Sequence, residues 1–352
     1  MKVVQVIPTL GVGGAEKVVV LLAQELAALG HEVSVVVLGS RQDTWLEAAA
    51  EAVGPVHFLD KGPGLDLRIV PTLRRLLRPA DVVHTHLHVL KYLWPRWRGP
   101  TVHTVHNLAE REAEAHDRKV QQLAFRTGVT PVAIGEAVVE SVRRVYGRSG
   151  PVIPNGIPLA DLEVADTARD EVRAELGIDG PLLLAVGRLD EQKDHATMFE
   201  AVDGLDATLV VAGKGPLRDA LDAAAPANVR LLGVRKDVPR LLAACDAFVL
   251  SSRWEGNPLS VMEAMGAGRP VVATSVGCVP ELVVEGSGHL VDAGDPAGLR
   301  AALQALLDDP DAARAAGERA ARHARAHFDV PVMARAYAEL YASLCSGNGA
   351  RW

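Results

Sequence analysis

A chain of 352 residues is long enough for about two domains of ordinary size, and with 49% hydrophobic and 23% charged residues it is neither disordered nor collagen-like. The formal net charge of −7 argues against a dedicated nucleic-acid binder, because nothing on balance neutralises a phosphate backbone. Three widely spaced cysteines, Cys245, Cys278 and Cys345, make neither a disulfide framework nor a paired metal knuckle, which points to a reducing compartment. No apolar run reaches the roughly 18–20 residues that span a bilayer, and residues 1–8 read as a strand rather than a signal peptide. The expected location is cytoplasmic.

In chain order, Val- and Ile-rich runs at residues 3–7, 33–38, 56–59, 81–85, 101–105 and 129–134 predict strands. They alternate with helix-like stretches at 15–29, 65–77, 110–125 and 136–146. Continuous β-branched runs without polar alternation indicate strands buried on both faces, hence a parallel sheet covered by helices. The rhythm repeats with strands predicted at 182–186, 207–212, 229–231, 247–250, 271–273 and 289–291. Between the halves, Pro151, Pro154, Gly156 and Pro158 deny the chain a helix and predict a hinge. After Pro310 an Ala/Arg-rich stretch predicts helix to about residue 344, and residues 346–352 a frayed tail. The fold class is therefore α/β, with two Rossmann-like parallel-sheet domains expected to face each other across a cleft. Chemistry is expected beyond the carboxyl ends of their strands.

The segment 251–265 is the richest in candidate groups. After the strand at 247–250, a Gly256-Asn257-Pro258 turn leads into a helix predicted to start near Pro258. The first amides of that helix, Leu259 and Ser260, suit a phosphate, and Glu255 and Glu263 can accept hydrogen bonds from hydroxyls on either side of it. The alternative is a solvated Glu255 and a Glu263 in a surface ion pair. Following the strand at 182–186, Arg188 and Lys193 emerge at a sheet edge, where a guanidinium fork and an ammonium can neutralise a diphosphate leaving group. In the plainer reading they pair on the surface with Asp190 and Asp194. After the first strand comes Pro8-Thr9-Leu10-Gly11-Val12-Gly13-Gly14-Ala15-Glu16-Lys17, which fits neither dinucleotide nor P-loop fingerprints. Its glycines allow close backbone approach to a ligand or simply make a tight strand-to-helix turn.

His84, His86, His88, His103 and His106 cluster in the first half. Alternate residues share a strand face, so a metal site is conceivable, but the strand is expected to end near His86 with no acidic partner at hand. The preferred reading places His86 and His106 at the ends of neighbouring strands, pointing into the cleft as polar contacts to substrate. His84 and His103 are then satisfied structural residues. Residues 68–98 hold Arg68, Arg74, Arg75, Arg78, Lys91, Arg96 and Arg98 against Asp81 alone, with Tyr92, Trp94 and Trp97 among them. Such a basic patch with interfacial aromatics fits peripheral contact with a membrane's inner face, and a solvated face is the alternative.

With these residues in place, the sequence resembles the family-4 glycosyltransferases (glycosyl transferases group 1), retaining enzymes of GT-B fold. The resemblance covers nearly the whole chain and rests on a series of motifs in order. They are Gly11-Val12-Gly13-Gly14-Ala15-Glu16, Thr104-Val105-His106-Asn107-Leu108, Ile153-Pro154-Asn155-Gly156-Ile157, Val186-Gly187-Arg188-Leu189 with Lys193, Ala212-Gly213-Lys214-Gly215-Pro216-Leu217-Arg218, the Glu255 and Glu263 pair, and Gly277-Cys278-Val279-Pro280-Glu281. It implies an N-terminal acceptor domain over 1–155, a donor domain over 156–328, and a helix over 329–345 crossing back to the first domain.

The resemblance further implies a hexosyltransferase type of reaction, from a UDP-, GDP- or ADP-sugar to a carbohydrate or lipid-linked acceptor, without cofactor or bound metal. His106, Glu255, Arg188 and Lys193 are the implied catalytic residues. Arg188 and Lys193 would bind the diphosphate, Glu255 sugar hydroxyls and Glu263 ribose hydroxyls. The amides of Leu259 and Ser260 would cap a phosphate, with Gly13, Gly14, Gly187, Gly213, Asn257 and Pro258 completing the donor site. His86 and Asn107 fall on the acceptor side. The chain departs from the family pattern at Pro158, Gly135 and Cys278, where Asp, Ser and Gly are usual. A nucleotide-sugar epimerase and a non-catalytic nucleotide-sugar-binding protein are the competing readings.

Overall fold

A computed structural model describes residues 1–93, 99–165 and 167–347. The chain divides into two compact units, residues 1–156 together with 330–352, and residues 157–329. In the first unit β1 (Lys2–Ile7), β2 (Glu32–Val37), β3 (Val56–Phe58), β4 (Val82–His86), β5 (Thr101–Val105) and β6 (Val129–Ala133) form a parallel sheet in the order β3-β2-β1-β4-β5-β6. The second unit uses β7 (Leu182–Val186), β8 (Thr208–Ala212), β9 (Val229–Gly233), β10 (Ala247–Leu250), β11 (Val271–Thr274) and β12 (Gly288–Val291) in the order β12-β11-β10-β7-β8-β9. Counted within each unit, both sheets are 3-2-1-4-5-6. The order therefore reverses between β1 and β4 and again between β7 and β10, and ligands of such sheets bind at that switch point.

Burial on both faces explains why the strands are uniformly apolar. Val4, Val6 and Val36 face Leu73 and Leu77 of the helix Val70–Leu77, while Ile7, Val35 and Val37 face Val19 and Val20 of the helix Gly14–Ala28. In the second unit Leu183, Val211, Val249 and Val272 pack with Phe199, Val202, Leu299 and Leu303. Each such side chain, fully buried, is worth about 1.5–3 kcal/mol.

Three predicted helices are interrupted. The stretch 110–125 is two helices, Ala109–Glu112 and Ala115–Arg126, because Ala113 is extended (φ −132°, ψ 142°) and Glu112 folds back to accept from the Asn107 amide. The stretch 65–77 opens as a 3-10 turn, Leu67–Ile69, whose amide at Arg68 is capped by Asp66. The helix after Pro310 breaks at Phe328 and Asp329, giving Pro310–His327 and Val330–Cys345. There the Ile157 amide donates to the Phe328 carbonyl at 2.7 Å, so that outgoing and returning strands run side by side. The predicted hinge is partly tied down as well, since Val152 bridges to Ala133 at the edge of β6.

The helix Val330–Cys345 belongs to the first unit, where Tyr337 and Tyr341 are fully buried. Thr104 Oγ1 lies 2.7 Å from the Tyr337 hydroxyl, and the Tyr341 hydroxyl lies 2.7 Å from His84 Nδ1. Among the described residues no helix is long and apolar enough to cross a membrane.

Candidate active site

In the second unit, the loops that leave β7 and β10 are laced together around Lys193 and Glu255. The ammonium of Lys193 donates to Glu255 Oε1 at 2.5 Å, Ser252 Oγ donates to the same oxygen at 2.7 Å, and Gln192 Nε2 donates to Oε2 at 3.2 Å. Ser251 Oγ donates to the Lys193 and Asp194 carbonyls, and Arg253 pairs with Asp194 at 3.1 Å. Asp194 adopts a left-handed backbone (φ 45°), a conformation aspartate tolerates, and is pinned there by Arg253 and Thr197. Glu255 and Glu263 are both buried, so neither is the solvated or surface-paired group of the plainer reading. Nor does Lys193 pair with Asp194. Arg188 does pair with Asp190, at 3.2 Å, and its side chain is 67% exposed.

Two glycines are required by close approach. A Cβ at Gly213 would lie 1.8 Å from the Gly187 carbonyl oxygen, and one at Gly277 (φ 54°) would lie 1.9 Å from that of Glu255. Both positions let the backbone beside the charged groups fold tightly. The helix Leu259–Gly266 starts with Pro258 at the N-cap rather than in the first turn, and Val261 and Met262 make the first helical hydrogen bonds, to the Pro258 carbonyl. The Leu259 and Ser260 amides thus precede the helical ladder, as the N-terminus of any helix dictates. Asn257 is buried in the turn ahead of them.

His195 lies at the start of the helix His195–Val202 and lines a small recess with Gly187, Lys193 and Leu250. It is 4% exposed, and its Nδ1 has no hydrogen-bond partner among the described residues. Burial, reinforced by the Lys193 charge, lowers its pKa to about 4, so it is neutral. Sequence reading missed it, along with Gln192 and Ser252. The polar run continuing past the Val186 strand end was the available signal.

In the first unit the glycine loop and the histidines gather at the ends of β1, β4 and β5. The space a side chain would take at Gly13 is filled by the Glu16 carboxylate, which also accepts from Thr9 Oγ1 at 3.1 Å. His86, expected to face substrate, is fully buried instead. Its Nδ1 lies 2.9 Å from His106 Nε2 and its Nε2 lies 3.2 Å from Gln5 Oε1, so it touches His106 and not the surface. His106 is only partly buried, and burial lowers its pKa to about 4. Asn107 caps the following turn, its Oδ1 accepting from the Leu108 amide at 2.8 Å.

His84 and His103 are buried and bonded within the core, His84 to Thr104 and Tyr341, His103 to Thr85 and Gln121. His88 leaves the strand in the 3-10 turn Leu87–Val89, and among the described residues no three His, Cys, Asp or Glu side chains converge on a metal-sized site. Among the described residues, part of the basic patch is taken up in ion pairs or buried. Lys91 pairs with Asp117 at 3.0 Å, Tyr92 is buried, and Arg68 is held by Asp66. Trp94, Arg96, Trp97 and Arg98 lie outside the described residues. Arg74, Arg75 and Arg78 remain exposed, as do Leu65 and Leu67 ahead of them in the chain.

Comparison with known proteins accounts for this layout. Residues 12–161 match the family model described as Glycosyltransferase Family 4, and residues 180–309 the model described as Glycosyl transferases group 1. The chain is 30% identical to the D-inositol 3-phosphate glycosyltransferase of Thermobispora bispora, over 94% of this chain and 89% of that one. It is 29% identical to the UDP-Gal:alpha-D-GlcNAc-diphosphoundecaprenol alpha-1,3-galactosyltransferase of Escherichia coli, over 69% and 71% of the two chains. Among solved structures it is similar to Anabaena HepE in complex with UDP and glucose, with a TM-score of 0.87 at 22% identity, covering 97% of this chain and 100% of the other.

Proposed function

This chain belongs to glycosyltransferase family 4 and has a GT-B fold, and on that premise we propose that it moves a sugar from a nucleoside-diphosphate sugar to an acceptor hydroxyl, with retention of anomeric configuration and without a metal ion. The observation that carries the reading is the buried Lys193–Glu255 pair at the second switch point, with the exposed charge of Arg188 in the same loop that leaves β7. Cleavage of the sugar–phosphate bond places negative charge on the departing diphosphate. Lys193, Arg188 and the N-terminus of the helix Leu259–Gly266 supply the positive field that this charge needs. Arg188 is exposed and, among the described residues, is held by Asp190, so it can turn to an anionic ligand at small cost.

Glu255 is fitted to the sugar. A carboxylate offers about four lone-pair sites, and Lys193, Ser252 and Gln192 use three of them, which leaves one on Oε2 for a sugar hydroxyl. Glu263 is assigned to the ribose hydroxyls. In the first unit, the neutral His106 favours uncharged hydroxyls over phosphate, which supports placing hydroxyl-bearing groups of the ligands there.

The acceptor is assigned to the carbohydrate or lipid-linked class. Of two relatives, one is named for a polyol phosphate, D-inositol 3-phosphate, and the other for a diphosphoundecaprenol-linked sugar, which supports a hydroxyl-rich acceptor of that class. Arg74, Arg75 and Arg78 with Leu65 and Leu67 are proposed to touch an anionic membrane surface at the cytoplasmic face. Co-sedimentation with anionic vesicles, lost in the triple Arg→Gln variant, tests that contact.

A melting panel with UDP, GDP, ADP and dTDP, each with and without chelator, tests the donor reading. A ligand at 100 times its Kd adds about 2.7 kcal/mol of stability. One nucleotide should raise the melting temperature regardless of chelator, and Arg188→Gln should abolish the shift. No shift with any of them defeats the assignment of Arg188, Lys193 and Glu263. Isomerised donor sugar in the absence of acceptor would mark an epimerase instead, and nucleotide binding without turnover on any acceptor a sensor.

A further inference from the structure

Gln5 is a polar residue in the middle of an apolar strand, completely buried. A buried amide in that position needs partners, and the partners here dictate a chain of proton positions. Gln5 Nε2 lies 3.0 Å from the Val19 carbonyl oxygen. A carbonyl only accepts, so the amide nitrogen must stand on that side and Oε1 must face His86. Oε1 accepts in turn, so the His86 Nε2 at 3.2 Å carries a proton. His86 is wholly buried with no carboxylate bonded to it, and burial holds its pKa well below the ordinary value, so it is neutral and its Nδ1 is a bare lone pair. His106 Nε2 stands 2.9 Å from that lone pair and must therefore be the donor. Being neutral as well, His106 then has an unprotonated Nδ1, which no described residue hydrogen bonds.

We propose that Gln5 and His86 are positioning residues that hold His106 as its Nε2–H tautomer, so that its Nδ1 lone pair accepts a hydrogen bond from a hydroxyl of the bound sugar. The opposite tautomer would set two lone pairs against each other across the His86–His106 contact. His86 lies between His84, with centroids 4.1 Å apart, and His106, at 5.2 Å, and the tilt between the rings in each pair (41° and 36°) sets them at an angle rather than in a stack. Glu112, the carboxylate whose charge acts on His106, accepts at Oε2 from the Asn107 amide and has Oε1 3.7 Å from His103, and among the described residues it makes no hydrogen bond to His106 that would reverse the order. The consequence is selectivity by hydrogen-bond polarity. A lone pair attracts a hydroxyl and repels a phosphate oxygen, which separates the sugar end of the ligand from its diphosphate end. That last step rests on the glycosyl-transfer reading above, whereas the tautomer itself does not.

The test is a long-range 1H–15N correlation spectrum of the uniformly labelled full chain, with His106 assigned by the loss of its signals in His106→Asn. The wild-type protein should show a pyrrole-type Nε2 and a pyridine-type Nδ1 at His106. A Gln5→Met variant removes the acceptor that orients His86, and should mix or reverse the His106 pattern. It should also lower kcat/KM by about 10- to 100-fold, the loss typical when a group that orients a ligating imidazole is removed. Nucleotide affinity, which depends on the other unit, should stay unchanged. An Nδ1–H pattern in the wild type overturns the proposal, and so does an unchanged His106 pattern in Gln5→Met. Should that variant fail to fold, the wild-type spectrum still decides. A correct tautomer in a protein with no transferase activity would leave the relay standing and refute only the proposed reaction.

Discussion

The two units share one strand order and place different chemistry at the same point of it. Where β1 and β4 diverge, the first unit collects Gln5, His86 and His106, all neutral and joined by hydrogen bonds. Where β7 and β10 diverge, the second collects Lys193 and Glu255, a buried ion pair braced by Ser252 and Gln192. The difference teaches what each half can bind. A neutral network offers fixed donors and acceptors without charge, which suits hydroxyls, while an ammonium and nearby guanidinium suit a diphosphate. It also sets different weaknesses, since imidazoles lose their hydrogen-bond order when acid protonates them.

The largest effect is expected from ending the chain after Asp329. This removes Met333, Tyr337 and Tyr341 from the first unit's core, each worth about 1.5–3 kcal/mol when fully buried. Calorimetry should show the transition of residues 1–156 lost or moved far down, with that of 157–329 largely kept. Equal damage to both transitions would break the division drawn here.

Lys193→Gln comes next. It should lower kcat/KM by about 10²–10³-fold, as for loss of one transition-state donor, and also lower the melting temperature, because it leaves the Glu255 carboxylate buried without its cation. A variant with full activity would remove Lys193 from the chemistry.

Acid should separate the units. His84, His86 and His106 in the first unit, and His195 in the second, have folded pKa values held below 6.5 by burial. The unfolded chain therefore takes up protons below pH 6.5 that the folded chain refuses. Stability is flat above that pH and falls as pH drops from 6.5 towards about 4, by up to about 1.4 kcal/mol per pH unit for each such group. His31 and His88 in the first unit and His323 in the second have their pKa lowered by burial as well, so with five groups against two, hydrogen-exchange protection factors should fall more in the first unit between pH 7 and 5. A uniform response would contradict the assignment of neutral histidines.

Tyr341→Phe should cost about 1–3 kcal/mol, since it strips a buried partner from His84. Smallest of all is the stability effect of Arg188→Gln, within about 0.5 kcal/mol as for an exposed substitution, while turnover falls sharply. Comparable losses in both would make Arg188 structural.

Much of the fold was legible in the residue string. Uninterrupted β-branched runs mark strands buried on both faces, and every strand lies within a residue or two of the run that predicted it. Helix interruptions were less legible, because they depend on partners far away: the break at Phe328 exists because Ile157 takes its carbonyl. The helix Trp45–Glu51 carried a local signature that went unread, the capping box of Thr44 and Glu47. Gln5 likewise announced itself as the one amide in an apolar strand, yet nothing along the chain links it to His86, 81 positions away.

By itself, the sequence determined that two parallel sheets form, where their strands lie, and which charged residues end them, since periodicity and turn chemistry are local. Only the tertiary structure decided which of those residues meet. It joined Lys193 to Glu255 rather than to Asp194, buried His86 behind His106, and filled the Gly13 turn with Glu16. Sequence spacing brings a side chain to the end of a strand. Its partner is chosen by which strands the sheet sets side by side, and that order is a property of the whole fold.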